Sequence, residues 1–467
     1  MIEGLKPYPD YKESGSPWLG TVPVNWKIRS LRTLIKKRAE RDRPDLPLLS
    51  VAREKGVFVR SLIDEEENHN VIPADLTNYK VARAGNLVIN KMKAWQGSMG
   101  IAPCDGIVSP AYFVFDFDID NYAFGQALLR SKPYVAHFGQ ASDGVRVGQW
   151  DLSVPGMRQI PVLIPDEGEQ TSIVRFLDHA NGRIERAIRA KKKLIALLNE
   201  QKQAIVHRAV TRGLDPNVPL KATGIPWLGD IPKHWEAMPA KRICTLIRDG
   251  THLPPPRTAD GFPLLSVRNM INGCLVRRPD DSFISKEHFD QLNLSFIVEK
   301  NDVLMAIVGA TLGKVAIVEG IGPFQIQRSV AIFRPRPSLL SAEFFATFLR
   351  SPRLQQHLWQ SVAFSAQPGI YLGFVANIPV PLPPTIAEQL SICTWLRNEV
   401  APLNAAIERA AREIGLLQEF RTRLTADVVT GKLDVRAAAR KLPEFLESEA
   451  KLEAEGLTDI EPEDVEA

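Results

Sequence analysis

An internal repeat of very long period constrains this chain more than any other feature. Gly15-Ser16-Pro17-Trp18-Leu19-Gly20-Thr21-Val22-Pro23-Val24-Asn25-Trp26 returns as Gly224-Ile225-Pro226-Trp227-Leu228-Gly229-Asp230-Ile231-Pro232-Lys233-His234-Trp235, identical at seven of twelve positions without a gap. Average residue usage gives roughly one such match. Further echoes follow in the same order: Pro47–Val51 with Pro263–Val267, Leu129–Ser131 with Leu349–Ser351, and Ile160–Pro165 with Ile378–Pro383. Glu169-Gln170 then answers Glu388-Gln389, and Thr211 with Leu214-Asp215 answers Thr430 with Leu433-Asp434. A period of about 210–220 residues is too long for a stacked solenoid and means a duplicated domain. Between the echoes the copies diverge: Asn90-Lys91-Met92-Lys93-Ala94-Trp95 has no counterpart in Ala306-Ile307-Val308-Gly309-Ala310-Thr311. A shared frame around divergent interiors is the pattern of two readers of different targets.

The first part of each copy reads as mixed α/β. Strand-like runs are Leu48–Val51, Leu87–Asn90 and Tyr112–Phe115 in the first copy, and Leu264–Val267, Val303–Val308, Val315–Val318 and Val330–Phe333 in the second. Helical stretches follow at Tyr122–Arg130 and Glu343–Leu349. The second part of each copy reads as one long helix, opening with Glu169 or Glu388 where an acid complements the helix dipole. Apolar residues then recur near every 3.5 positions: Ile173, Leu177, Ala180, Ile184, Ile188, Ile195, Leu198 and Ile205 in the first. The second carries Ile392, Leu396, Val400, Leu403, Ile407, Ile414, Leu417 and Leu424, with Pro402 as the expected kink.

Heptads sustained this far predict an antiparallel coiled coil, the alternative being two amphipathic helices packed on their own domains. The expected organisation is a mixed α/β domain at 1–165, a long helix at 166–212, a second such domain at 213–385, a second helix at 386–432, and an acidic tail at 433–467. About forty helical residues at ~1.5 Å each make a rod of roughly 60 Å, against ~34 Å for one turn of DNA. Such a rod can act as a ruler.

Charge divides unevenly along the chain. Residues 441–467 hold two lysines and ten acids, a balance of −8; the whole chain is +4, so residues 1–440 carry +12. A basic body fits a polyanionic partner. The four cysteines, Cys104, Cys244, Cys274 and Cys393, form no Cys-x-x-Cys pair, as expected of reduced thiols in the cytoplasm. Neither a signal peptide nor a membrane span is expected, because no run approaches the ~18 apolar residues that a span needs.

Tandem Gly-x-Pro-Trp-Leu-Gly-x-x-Pro-x-x-Trp segments, each followed by Ile-Pro-x-x-x-Pro, Glu-Gln and a long helix, resemble Type I restriction–modification specificity subunits. The likeness runs from about residue 8 to 434. It implies two target-recognition domains, each reading half of a split site in double-stranded DNA. It also implies paired helices that fix the spacer and dock two methyltransferase subunits, with restriction subunits joining them. Catalysis, together with S-adenosylmethionine, ATP and magnesium, is then expected in those partners, and this chain is expected to be non-catalytic. Trp18, Trp26, Trp227 and Trp235 belong to the opening motifs and are read as packing residues.

The residues suggest no catalytic centre of their own. Gly309-Ala310-Thr311-Leu312-Gly313-Lys314-Val315 looks like a P-loop but is one residue short and has Val315 where a hydroxyl must hold magnesium, so a turn between strands is expected. Pro165-Asp166 lacks the Glu-x-Lys of a nuclease and reads as a helix start. Direct readout needs Arg for guanine and Asn or Gln for adenine. The candidates in the first copy are Asn90, Lys91, Lys93, Trp95 and Gln96, leaving a strand into a turn, and Arg146 in the loop 142–146. In the second they are Arg268, Asn269, Gln325, Gln327, Arg328 and Gln367, with Lys91 and Lys93 assigned to phosphate. Arg183, Arg186, Arg189, Lys191, Lys192 and Lys193 make the first long helix cationic, facing solvent, phosphate or an acidic partner. Two other functions remain open on sequence alone: a self-contained methyltransferase or nuclease, and a protein-binding scaffold.

Overall fold

A computed structural model describes residues 5–60, 75–146, 149–253, 255–362 and 368–443. The chain divides into two compact units, one drawn from residues 1–190 and 413–467 and the other from residues 191–412. Each long helix therefore contributes one part to each unit.

In unit 1 an antiparallel four-stranded sheet has the order Ile35–Lys37, Tyr112–Phe117, Leu87–Asn90, Met99–Ile101. Its central strand reads Leu-Val-Ile without alternation because both faces are covered: Leu87 and Ile89 enter the main core while Val88 enters a second, smaller one. Unit 2 repeats the arrangement as Cys244–Asp249, Val330–Pro335, Val303–Ala306, Val315–Ile317, and extends it with the short strands Cys274–Leu275 and Met270–Ile271. There too Val303 and Met305 face one core and Leu304 the other. Asn90 pairs with Tyr112 and Ala306 with Val330, so the sequence divergence begins at one and the same register position of the repeated sheet.

The Ile-Pro echoes form strands Pro161–Ile164 and Pro379–Leu382, which pair with Lys27–Ser30 and Glu236–Pro239. Two further helices, Lys132–Gln140 and Pro352–Gln360, follow the expected ones and were not read from sequence, although each carries proline in its first turn. They seat the opening motifs. Trp18 stacks on His137 at 4.5 Å and Trp227 on His357 at 4.8 Å, while Trp26 and Trp235 are fully buried. Burial holds both imidazoles below the ordinary histidine range, so the stacked rings are neutral at pH 7.

Several expected elements take a different form. The segment Ser142–Arg146, expected as a loop, is a strand paired with Gln149–Leu152, with a register shift between Asp143 and Arg146. The strand expected at Leu264–Val267 runs Phe262–Leu265, and Val267 opens a 3-10 turn. The P-loop lookalike joins two antiparallel strands, its Gly313 amide donating to the Ala306 carbonyl at 2.8 Å.

The long helices span Glu167–Arg212 and Ile386–Val429, the second running through Pro402. In unit 1 Ile173, Leu177, Ile184, Ile188 and Leu424 are buried and Ile414 and Leu417 half-buried; in unit 2 Ile392 and Leu396 are buried. Ile195, Leu198, Ile205, Leu403 and Ile407 are half-buried in unit 2, whereas the neighbouring Leu194 and Leu197 are exposed, as the heptad assignment requires. Asp166 Oδ1 accepts from the Glu169 amide at 2.9 Å and so caps the first helix. The next residue ties that turn to the sheet domain. Gln170 Nε2 donates to the Pro165 carbonyl at 3.0 Å and to Asp120 at 3.2 Å, and its Oε1 accepts from the Asn121 amide at 3.1 Å. Gln389 repeats this with the Pro383 carbonyl at 3.1 Å, the Leu339 carbonyl at 2.8 Å and the Ser341 amide at 2.7 Å.

Both glutamines are completely buried. Gln389→Leu keeps the volume but strands three backbone groups, and an unfolding titration is expected to show a loss of about 2–4 kcal/mol with an unchanged m value. A loss under about 0.5 kcal/mol would refute the tie.

Candidate nucleic-acid interface

The ends of the repeated sheets decide which loops can meet. In unit 1 the Asn90–Tyr112 pair marks one end of the sheet, and the segment from Lys91 leaves from it. In unit 2 the pairs Ala306–Val330 and Asp249–Ala331 mark the corresponding end, from which the segments beginning at Ile307 and Gly250 leave and to which the segment ending at Ser329 returns. Thr251 bridges Gln327, and the Gln327 amide donates to the Leu265 carbonyl at 3.0 Å, which brings in the turn that carries Arg268. Candidates chosen from separate stretches of sequence thus converge on one sheet end in each unit.

Within unit 1, Asn90 is buried and its Oδ1 accepts from the Met92 amide at 3.2 Å, so it builds the turn. Lys91 is ion-paired with Asp151 at 3.0 Å, whereas Lys93 is exposed. The Trp95 indole packs on Trp150 with centroids 5.0 Å apart and donates to the Met92 carbonyl at 3.2 Å. Trp150, which the sequence reading passed over, joins this group from the hairpin strand Gln149–Leu152. Gln96 is half-buried and lines a cleft of about 720 Å³ with Arg130, Asp178 and Arg421. Arg146 lies on the paired strand Ser142–Arg146.

Unit 2 separates its candidates more sharply. Asn269 is buried, its Nδ2 donating to Asp281 at 2.6 Å and to the Val276 carbonyl at 3.1 Å, and its Oδ1 accepting from the Ser266 amide at 3.1 Å. Gln325 is buried too, with Nε2 donating to Asn293 and to the Phe296 carbonyl, both at 2.8 Å. All the hydrogen-bonding groups of Asn269 and both donors of Gln325 already serve the fold, which sets these two apart from exposed side chains. Arg268 is partly exposed but forks onto Asp280, with its Nη1 at 3.0 Å. Gln327 is half-buried, and Arg328 is exposed with no ion-pair partner among the described residues. Gln367 lies outside the described residues.

Residues 232–411 match the family model of the Type I restriction modification DNA specificity domain. The specificity subunit of the Type I restriction enzyme EcoBI from Escherichia coli is 28% identical over 303 residues, which take in 60% of this chain. Over these stretches the chain is similar to Type I restriction–modification specificity subunits. The match spans 63% of the EcoBI subunit's own length. A solved chain from work on complex assembly and conformational transition of the type I R-M system superposes with a TM-score of 0.63 at 16% identity, covering 87% of this chain and 98% of that one. The HsdS subunit from Thermoanaerobacter tengcongensis gives 0.46 at 16% identity, over 87% and 96% of the two chains. At this identity the first likeness speaks for the fold alone. No helix among the described residues is long and apolar enough to cross a membrane.

The side chains that build the loops are told apart from those that the loops present by their burial and hydrogen bonds. Asn269→Ala is expected to lower the unfolding free energy by about 2–3 kcal/mol, because it leaves the buried Asp281 short of a donor. Arg328→Ala should stay within about 0.5 kcal/mol of the parent. Thermal unfolding of the two variants checks the division, and equal losses would overturn it.

Proposed function

We propose that this chain is the DNA-reading subunit of a Type I complex, each unit recognising one half of a bipartite site in double-stranded DNA. The observation that carries this reading is the repeated frame whose divergent loops leave the same end of the same sheet in both units. Repetition preserves how a loop is held, and divergence changes what it presents. Arg146 in unit 1 and Arg328 with Gln327 in unit 2 are the proposed base readers. Lys93 is assigned to phosphate, where a cation gives affinity but no sequence information. Arg268 can join the readers only by leaving Asp280.

The long helices are proposed to pair antiparallel, to set the spacer between half-sites and to dock two methyltransferase subunits, with restriction subunits completing the complex. Support comes from two contacts. Glu185 meets Arg421 at 3.1 Å in unit 1, and Lys202 meets Asn404 at 2.9 Å in unit 2. Seventeen residues forward along the first helix correspond to seventeen residues back along the second, the register of an antiparallel pair. Arg183, Arg186 and Arg189 are exposed on the first helix and suit an acidic partner face or phosphates. Methyl transfer and cleavage, with S-adenosylmethionine, ATP and magnesium, are assigned to the partner subunits.

In the assembled complex, Arg328→Ala is expected to weaken discrimination at one position of one half-site by about 1–3 kcal/mol. Methylome mapping or competition binding reads this directly, and equal weakening on all sequences would reassign the residue to phosphate. Inserting four residues into the helix Glu167–Arg212 should change the preferred spacer, and a constant spacer refutes the ruler. Methyl transfer or cleavage by the purified chain alone would overthrow the whole reading.

A further inference from the structure

Among the described residues, each unit exposes a large aliphatic side chain on a loop at the sheet end just described. Leu253 is 87% exposed and Met92 is 53% exposed. Exposed apolar residues are common and usually mean little. These two differ in how firmly the backbone beneath them is held.

The segment under Leu253 is tied to the sheet at successive residues. The Gly250 amide donates to the Val330 carbonyl at 3.1 Å, and the Thr251 amide donates to the Ile326 carbonyl at 3.2 Å. Thr251 Oγ1 then donates to the Leu253 carbonyl at 2.8 Å, and His252 Nε2 lies 2.8 Å from Asp249. Gly250 is required there, since a Cβ would come within 2.2 Å of the Ile326 carbonyl oxygen. Pro255 and Pro256, close behind in the sequence, have φ fixed by their rings. Under Met92 the turn is fixed on both sides of the residue: its amide is held by Asn90 and its carbonyl by the Trp95 indole, which rests on Trp150. Cationic residues lie near both in the chain: Met92 is flanked by Lys91, paired with Asp151, and the exposed Lys93, while Leu253 is four residues from Arg257 and its segment is bridged through Thr251 to Gln327, next to Arg328.

A pinned loop that presents an apolar group amid cations suits a surface that is anionic at its rim and apolar at one point inside. Duplex DNA offers this in the major groove, where the thymine C5-methyl group projects between phosphate walls and takes apolar contacts. We propose that Leu253 and Met92 each read a thymine C5-methyl group, one in each half-site. The inference rests on the reading of the chain as a bipartite DNA reader and adds the chemical feature recognised. An apolar contact of this kind complements Arg328, which can serve guanine but cannot discriminate a methyl group.

The test uses the full chain assembled with its methyltransferase partner and duplexes carrying the site found by methylome mapping. Each thymine is replaced in turn by deoxyuridine, which removes the methyl group and leaves the base pair unchanged. One position in each half-site is expected to lose about fourfold in affinity, the size expected for one buried methyl group. Leu253→Ala should abolish the loss in one half-site and Met92→Ala in the other, with melting temperatures unchanged. If binding is sequence-selective but deoxyuridine has no effect, or the loss persists in the alanine variants, the methyl contact is refuted and the bipartite reading stands. If binding shows no sequence selectivity at all, the bipartite reading itself fails.

Discussion

Two buried amides hold the architecture together. Gln170 and Gln389 each occupy the first turn of a long helix and satisfy backbone groups from the segment before that helix and from the connection to the helical pair of the sheet domain. A buried polar group without partners is costly, so this arrangement tolerates one geometry and penalises its neighbours. The preceding glutamates add a second tie. Glu169 accepts from Tyr8 at 2.6 Å and from Asn25 at 3.0 Å, and Glu388 accepts from the Trp235 indole at 2.8 Å. Helix, sheet domain and opening motif are therefore locked by two adjacent side chains in each unit.

This rigidity lets the sheet ends vary. Apolar faces on both sides of the central strands fix register, because a one-residue slip would exchange the two cores. Loops that begin beyond Asn90 or Ala306 start from the same fixed point whatever their composition. The glycine needs are local as well. Gly431 and Gly213 adopt left-handed backbone at the ends of the long helices, with Pro23 or Trp235 where a side chain would otherwise go.

Much of this frame was legible in the sequence. The long helices declared themselves because a 3.5-residue apolar period persists over forty positions, and it even separated Ile195 and Leu198 from their exposed neighbours. The central strands were legible as short uninterrupted apolar runs, Leu-Val-Ile in one copy and Val-Leu-Met-Ala in the other. The presenting side chains were not. Asn269 and Gln325 have the donor and acceptor pairs that recognise adenine, but their amide donors satisfy a buried carboxylate, a side-chain amide and backbone carbonyls, and residue type alone cannot tell the two uses apart. The role of Gln170 and Gln389 was hidden for the same reason. The hairpin Ser142–Arg146 with Gln149–Leu152 was read as a loop because its Asp-Gly pair signals a turn and its apolar alternation is short.

The way the long helices are shared between units also bears on synthesis. Unit 2 is a single uninterrupted stretch, residues 191–412, and can consolidate as soon as it leaves the ribosome. Unit 1 begins earlier but has a core that needs Leu424, Val428, Val429 and Val435, and an N-terminal segment whose Lys6 bridges Asp434. The half translated first is thus the half whose core is completed last, by the final turns of the second helix.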